Sequence, residues 1–228
     1  MRGSLQHVSC EPDVSFREAE QCRRQVKPKK AAGGDGIPSD AIKNIPALTA
    51  LMFPLFSIMM RYGVYPVAWG SALIRALLQP GKPKSESSSL RGIRLMNSMA
   101  SWFGRVFDKR ARAAWQAGPE QFGFRCSTGC SEAVALILAL ILSRTLAGRR
   151  LFVVWVDLRT AFPSLSRPIL IQKMFECCVG LGLCWLMLAI LDLASSVVCI
   201  GRLVGTPFRE VLGVREGAVE SPHAFNVY

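Results

Sequence analysis

The sequence has 228 residues, half of them hydrophobic, and a formal net charge of +12. A chain of this size can bury a sizeable core, in one large domain or two small ones. The positive charge lies in residues 1–150, which hold 22 Lys and Arg against 10 Asp and Glu, whereas residues 151–228 hold six of each. This distribution predicts a polyanion-facing part joined to a neutral, buried part, and predicts weak, salt-dependent binding of nucleic acid.

The cysteines argue against two classes of small protein. None of the eight forms a Cys-x-x-Cys pair, and with only His7 and His223 beside them no zinc-ligand spacing appears. A disulfide framework is not expected in a chain this long. Residues 1–30 are polar and charged, which predicts that no signal peptide opens the chain. We therefore expect reduced cysteines and an intracellular location, in the nucleus or the cytoplasm.

The first half of the chain reads as helices around one strand. A lead-in with a basic run at 27–30 is followed by a glycine-rich loop at 33–38, which cannot continue a helix. The predicted elements that follow are a helix at 42–60 broken near Pro46 or Pro54, a strand at 69–78, a turn and linker at 80–89, an amphipathic helix at 98–115 and an apolar helix at 130–146.

Residues 151–156 form an apolar run that ends in Asp157, and Phe162 follows five positions later. Such a run predicts a buried strand. An acid at the carboxyl end of a strand, beneath a basic segment, is a good place to hold a divalent metal against phosphates. The alternative interpretation is a strand-to-turn junction in which Asp157 caps the next helix.

The remaining elements are predicted as helices at 169–178 and 183–193 and as a strand pair around 197–203 and 208–214. Residues 179–200 are apolar with Asp192 as the only charge, and are long enough to span a bilayer. Glycines, serines and this acid interrupt the segment, so a buried helix followed by a strand is the preferred interpretation. A small membrane protein spanning at 179–200 is an alternative, and membrane association is not expected.

Six short blocks, in a fixed order over residues 31–228, resemble the reverse transcriptase domain of non-LTR (LINE-type) retrotransposons. They are Gly-Gly-Asp-Gly-Ile-Pro at 33–38, Leu-Gln-Pro-Gly-Lys-Pro at 78–83, Leu-Arg-Gly-Ile-Arg-Leu-Met-Asn at 90–97, Gln-Phe-Gly-Phe-Arg at 121–125, Val-Asp-Leu-Arg-Thr-Ala-Phe at 156–162, and Gly-Val-Arg-Glu-Gly-Ala-Val-Glu-Ser-Pro at 213–222 with Phe-Asn at 225–226. No single block is decisive, but six in order are highly specific.

The resemblance implies an α+β fold, the fingers and partial palm of a right-handed, reverse transcriptase-like polymerase. The implied organisation is a basic lead-in at 1–31, a fingers-like region at 32–150 and a partial palm at 151–228. The implied reaction adds deoxynucleotides from their triphosphates to a DNA primer on an RNA template, with two Mg²⁺ ions.

The resemblance also implies roles for individual residues. Asp157 would be catalytic and bind metal through its carboxylate, and the Leu158 carbonyl would add a metal ligand. Nucleotide binding would fall to four residues: Lys82 and Arg91 on the triphosphate, Phe162 beside the sugar, and Gly217 where backbone approaches the nucleotide. Solvated loop charge is the alternative for Lys82 and Arg91.

The chain departs from the family pattern at several positions. Glu216 replaces a common Gln, Pro163 stands where Asp is common, and Gly92 replaces a Pro. The family's second catalytic block, which ends in Asp-Asp, is not found before Tyr228, so these residues alone are expected to be inactive. The alternative function is a degenerate, non-catalytic relic that binds nucleic acid.

Overall fold

The computed structural model of the chain describes residues 12–83, 86, 89–125, 127–158 and 160–228. Its first elements are the helices α1 (Phe16–Arg24), α2 (Ser39–Asn44) and α3 (Ala47–Tyr62), a short 3-10 helix (Val67–Trp69), and the strands β1 (Ser71–Leu78) and β2 (Leu90–Met96). The predicted helix break near Pro46 is confirmed, whereas Pro54 lies inside α3. Parts of the predicted lead-in (1–11) and linker (84–85 and 87–88) lie outside the described residues.

The second half of the chain follows the predicted order, except that no strand forms at 151–156 and that the strand predicted at 208–214 is confined to Phe208–Arg209. Its elements are α4 (Ser98–Ala114), α5 (Cys130–Leu146), α6 (Ala161–Ser164), α7 (Arg167–Glu176), α8 (Leu181–Asp192), β3 (Ser195–Ile200), β4 (Leu203–Val204), β5 (Phe208–Arg209) and α9 (Ser221–Val227). The helices predicted at 98–115, 130–146, 169–178 and 183–193 are therefore confirmed to within a few residues.

The strands form one small mixed sheet in the order β2-β1-β3-β4, and β5 also pairs with β3. β1 is antiparallel to β2, with Leu77 opposite Arg91, and parallel to β3, with Ser71 opposite Ser195. A parallel pair needs a long crossover, and here the crossover contains four helices, α4, α5, α7 and α8, and the short α6. The sheet thus joins the predicted fingers-like region to the predicted partial palm.

A helical core fills the space beside the sheet. Its largest fully buried side chains are aromatic, with Phe56 packed edge-on against Trp102 at 5.0 Å between ring centroids. The indole nitrogen of Trp102 donates a hydrogen bond to the Ala19 carbonyl at 3.0 Å, so α4 is fixed to α1 by both packing and polarity. The combination of helices with a small mixed sheet is compatible with the predicted α+β class.

Two consecutive segments stay outside this core, and together we call them the apolar arm: α5 and residues 151–158. No residue of α5 is buried, although it is strongly apolar. Residues 151–158 are exposed along their length, with Phe152 at 84% and Trp155 at 77% of full exposure.

The predicted buried strand at 151–156 is therefore wrong. A strand is stabilised by hydrogen bonds to a neighbouring strand, and β1 to β5, the strands of the described residues, pair only with one another. The apolar run has the composition of a strand but lacks a partner, so Asp157 follows an exposed, irregular segment.

The apolar stretch at 179–200 divides between α8, which ends at Asp192, and β3, which begins at Ser195. This confirms the preferred interpretation of a helix followed by a strand. Within the described ranges, no helix combines the length and the apolar character needed to cross a bilayer.

Candidate active site

Three aromatic rings from three separate sequence blocks meet at the edge of the helical core. Phe162 stacks on Phe225, with ring centroids 5.0 Å apart and planes 22° from parallel. Phe124 contacts the Phe162 ring edge-on at 5.9 Å. We call these three residues the aromatic cluster. Since they lie in the blocks at 121–125, 156–162 and 225–226, the fold brings together residues that are a hundred positions apart in the chain.

Side-chain amides join two of the same blocks. The Gln121 side chain donates to the Asn226 amide oxygen at 3.0 Å, and the Asn226 amide nitrogen donates to the Gly123 carbonyl at 3.0 Å. Two reciprocal bonds of this kind fix the loop at 121–125 against α9. Both residues thus have a structural role beside the aromatic cluster.

Gly213 holds the next block against α6. Its backbone nitrogen donates to the Leu165 carbonyl at 2.8 Å, and the nitrogen of Val214 donates to the Phe162 carbonyl at 3.0 Å. Gly213 has a φ of +73°, and a Cβ at this position would lie 2.5 Å from the Phe162 carbonyl oxygen. A residue with a side chain would therefore be both strained and obstructed here.

A buried arginine fixes the approach to this turn. The Arg167 guanidinium donates to the carbonyls of Gly213 at 2.9 Å, Leu191 at 2.7 Å and Glu210 at 2.6 Å. Burial lowers the pKa of Arg167, because the charged form loses its hydration. The side chain thus replaces water as the partner of several carbonyls and ties α7, α8 and the segment after β5 together.

A second buried arginine lies within the block at 213–222. Arg215 forms an ion pair with Glu220 at 2.8 Å, and both side chains are at most 5% exposed. The Arg215 guanidinium also lies 5.6 Å from the centre of the Tyr65 ring. Removing one partner would leave an uncompensated buried charge. This pair fixes the block onto the helical core.

The predicted metal ligands stand apart from this constellation. Asp157 and Leu158 are exposed in the apolar arm, and no three His, Cys, Asp or Glu side chains in the described parts of the chain are grouped to hold a metal. Two hard cations need several anionic oxygens fixed around them. The described residues therefore do not fit a two-magnesium site by themselves.

The predicted phosphate ligands are also separate. Arg91 lies on β2 and Lys82 in the turn after β1, so both sit near the tip of the β1–β2 hairpin, and both are exposed. In the ranges that the structure describes, no hydrogen bond or ion pair joins either one to Asp157 or Phe162. Of the predicted site residues, only Phe162 lies in the aromatic cluster.

Strand β2 is contacted both by the first block and by Gly217. Gly33 packs so closely on β2 that a Cβ would lie 2.6 Å from the Met96 carbonyl oxygen, and the Ser98 hydroxyl donates to the Ile37 carbonyl at 2.7 Å. Gly217 is exposed, has a φ of +84° and faces the Arg94 carbonyl. The predicted nucleotide-binding glycine and the loop at 33–38 therefore both pack against β2 or its end, near Arg94 and Met96 respectively.

The sequence was compared with those of known proteins to find which proteins are similar to this chain. No protein-family model matches the chain. Curated proteins that are similar to it are polymerases of mobile elements, and this confirms the resemblance to the reverse transcriptases of non-LTR retrotransposons.

Three of these relatives define the extent of the similarity. The RNA-directed DNA polymerase from mobile element jockey of Drosophila funebris is 28% identical over 70% of the chain, and the probable RNA-directed DNA polymerase from transposon X-element of Drosophila melanogaster is 26% identical over 87%. The retrovirus-related Pol polyprotein from type-1 retrotransposable element R2 of Popillia japonica is 24% identical over 92%. The matched part is 18%, 22% and 29% of these relatives, respectively, so the chain spans a small part of their length.

The sequence drew attention to Phe162 but not to its neighbours. Phe124 and Phe225 both lie in matched blocks, and a search for aromatic residues shared among blocks would have found them. Helical periodicity also does not single out Arg105, because an amphipathic helix at 98–115 is expected to expose its basic residues. Arg105 is instead partly buried beside a cavity.

Proposed function

We propose that this chain forms part of an RNA-directed DNA polymerase of a retrotransposon, corresponding to the fingers and part of the palm. The observation that supports the proposal best is the aromatic cluster, in which three matched blocks converge around Phe162. A chance resemblance of short motifs would not be expected to bring its members into contact. The similarity to the polymerases of jockey and the X-element supports the same function.

The substrates in this proposal are an RNA template, a DNA primer and deoxynucleoside triphosphates. Phe162 would press against the sugar of the incoming nucleotide, where a 2′-hydroxyl would clash. Lys82 and Arg91 would meet the triphosphate from the hairpin tip, Arg91 as a planar fork and Lys82 as a point charge. The excess of Lys and Arg in residues 1–150 would attract the template and primer.

Mg²⁺ is the proposed cofactor, and Asp157 with the Leu158 carbonyl would supply only part of its ligands. In this proposal further carboxylates would complete the site, and the resemblance implies that an intact relative carries an Asp-Asp pair some tens of residues after the position of Tyr228. A strand that carried such a pair would also give residues 151–156 the hydrogen-bonding partner that none of the described strands provides.

A primer-extension assay tests the proposal. The 228-residue chain should not extend a DNA primer on an RNA template with Mg²⁺ or Mn²⁺, whereas a version extended by a relative's Asp-Asp block should. In the extended protein, Asp157→Asn should abolish extension, and Asp192→Asn, which neutralises an exposed acid at the end of α8, should leave it intact. Failure of the extended protein, with its fold intact, would favour the non-catalytic alternative. Robust extension by the 228-residue chain, abolished by Asp157→Asn, would show that the site needs no further carboxylates.

A further inference from the structure

A cavity of about 280 Å³ lies between the segment after α1, strand β2 and helix α4. Four basic residues line it: Lys27 and Lys30 from the segment after α1, Arg94 from β2 and Arg105 from α4. None of its lining residues is acidic. Of the predicted site residues, only Gly217 touches this cavity, so it is distinct from the aromatic cluster and from Asp157.

The basic residues differ in how their charge is balanced. Arg94 forms an ion pair with Glu210 at 2.8 Å. Arg105, in contrast, makes no hydrogen bond or ion pair within the described ranges, and its Nε atom is buried without a partner. A buried donor without a partner is costly, since it has lost its hydrogen bonds to water. Burial accordingly lowers the pKa of Arg105.

The wall that carries the lysines is fixed by its backbone. The amide of Lys29 donates to the Asp40 carboxylate at 2.9 Å, and the amide of Lys30 donates to the Ser39 hydroxyl at 3.1 Å. These bonds hold the segment against the start of α2, and within the described ranges the ammonium groups of Lys27 and Lys30 make no hydrogen bond or ion pair. Ser101 also lines the cavity, one turn before Arg105 on the same helix.

We propose that this cavity binds a phosphate group. A phosphate would supply acceptors for the unpaired Arg105 guanidinium and balance the charges of Lys27 and Lys30. Two sources share this chemistry: a phosphodiester in a nucleic-acid strand and the phosphates of a free nucleotide. The proposal does not rest on polymerase activity, because binding can be measured on the 228-residue chain whether or not it extends a primer.

Thermal unfolding in inorganic phosphate is the first test. Phosphate should raise the midpoint temperature of thermal unfolding of the 228-residue protein more than chloride does at equal ionic strength. The reason is that a ligand that binds only the folded state stabilises that state. Arg105→Gln should lose this extra shift but be no less stable without phosphate, since it removes a partly buried cation whose Nε atom has no hydrogen-bond partner. Arg149→Gln, which removes an exposed charge outside the cavity, should keep the shift. An equal phosphate effect in all three proteins would be a general salt effect and would overturn the proposal.

A second test identifies the source of the phosphate. Binding of a fluorescent 12-nucleotide RNA and of deoxythymidine triphosphate is measured for Arg105→Gln and for the double variant Lys27→Gln/Lys30→Gln. The matched control is Arg149→Gln/Arg150→Gln. If a phosphodiester of a nucleic-acid strand occupies the cavity, Arg105→Gln should lower the affinity for RNA about ten-fold, with little change in the affinity for the triphosphate. The steepness of the plot of log RNA affinity against log salt concentration should also fall by about one. If a free nucleotide occupies it, the ten-fold loss appears with the triphosphate instead.

The two cavity variants must differ from the control pair for the proposal to stand. Unchanged affinity for both probes, or an equal loss in the control pair, would mean that only overall charge matters and would overturn it. A lack of primer extension by the extended protein would contradict the proposed function and leave this result untouched.

Discussion

Helices α4 and α5 have the same length, 17 residues, but α4 buries eight residues and α5 buries none. The unburied helix is the more apolar of the two, with Glu132 and Arg144 as its only charged residues. α4 mixes five charged residues with an apolar stripe that fits one surface of the core. The apolar residues of α5 are spread over all sides of the helix. A helix of this kind is buried only when other elements enclose it. The apolar pattern, more than the apolar content, therefore decides which of the two helices packs into the core.

The contrast extends to the segment that follows each helix. After α5 the chain continues in the exposed residues 151–158, so the apolar arm forms a run of uncovered apolar sequence. Contiguous apolar surfaces of this kind mark places where proteins meet other surfaces. The predicted metal ligands, Asp157 and Leu158, belong to the arm, whereas the aromatic cluster belongs to the packed part.

The largest expected difference between the two helices is in stability. Trp102→Ala should lower the free energy of unfolding by about 3 to 5 kcal/mol, because it empties a core site and removes a hydrogen bond to Ala19. Leu138→Ala in α5, where Leu138 is 59% exposed, should change it by less than about 0.5 kcal/mol. Urea denaturation of the two variants measures both values. Similar losses would mean that α5 is packed in solution and would remove the distinction.

Gly213 offers a test within the packed part. Gly213→Ala should cost about 3 kcal/mol, because its φ is +73° and its Cβ would collide with the Phe162 carbonyl. Gly34→Ala is the matched control, since nothing lies within 4 Å of a Cβ there and its φ is outside the left-handed region. Chemical denaturation compares them. Equal stabilities would show that the turn at Gly213 relaxes freely.

Acid should weaken the packed part through His223. Burial, with Arg112 nearby, lowers the pKa of His223 to about 4 from its usual 6.5. The unfolded chain therefore binds the proton more readily, and stability falls as the pH drops through 6.5 toward 4. Between pH 7.5 and pH 5 the loss should be at most about 2 kcal/mol. His223→Gln should lose this part of the pH dependence in urea denaturation, and an unaltered dependence would assign it to other groups.

A smaller loss of stability than at Trp102 or Gly213 is expected at the junction with the arm. Phe162→Val should cost about 1 kcal/mol, because Phe162 is half-buried and loses mainly its ring contacts. In an active, extended protein the same change should raise ribonucleotide incorporation relative to deoxynucleotides. Phe225→Val, which removes the stacking partner only, should cost similar stability and keep the sugar preference. Unchanged preference in Phe162→Val would assign Phe162 to the core alone.

Sequence patterns predicted most of the packed elements because their signals are local. The stripe at Trp102, Phe103 and Phe107 predicted α4, and Pro46 marked the break before α3. The segment at 151–156 was predicted wrongly because a strand depends on a partner that its own sequence does not specify. The aromatic cluster and the contact of Arg105 with the cavity depend on distant residues, so periodicity could not reveal them.

The parallel pairing of β1 with β3 also sets the order in which the chain can fold. Ser71 pairs with Ser195, so residues 124 positions apart in the sequence lie side by side in the sheet. At roughly 5 to 20 residues per second, a ribosome would make β1 many seconds before β3. During that time the β1–β2 hairpin has no parallel partner for β1, and the apolar arm leaves the ribosome exposed to solvent. Pairing at this separation makes folding slow, and a nascent chain would need protection from aggregation during that interval.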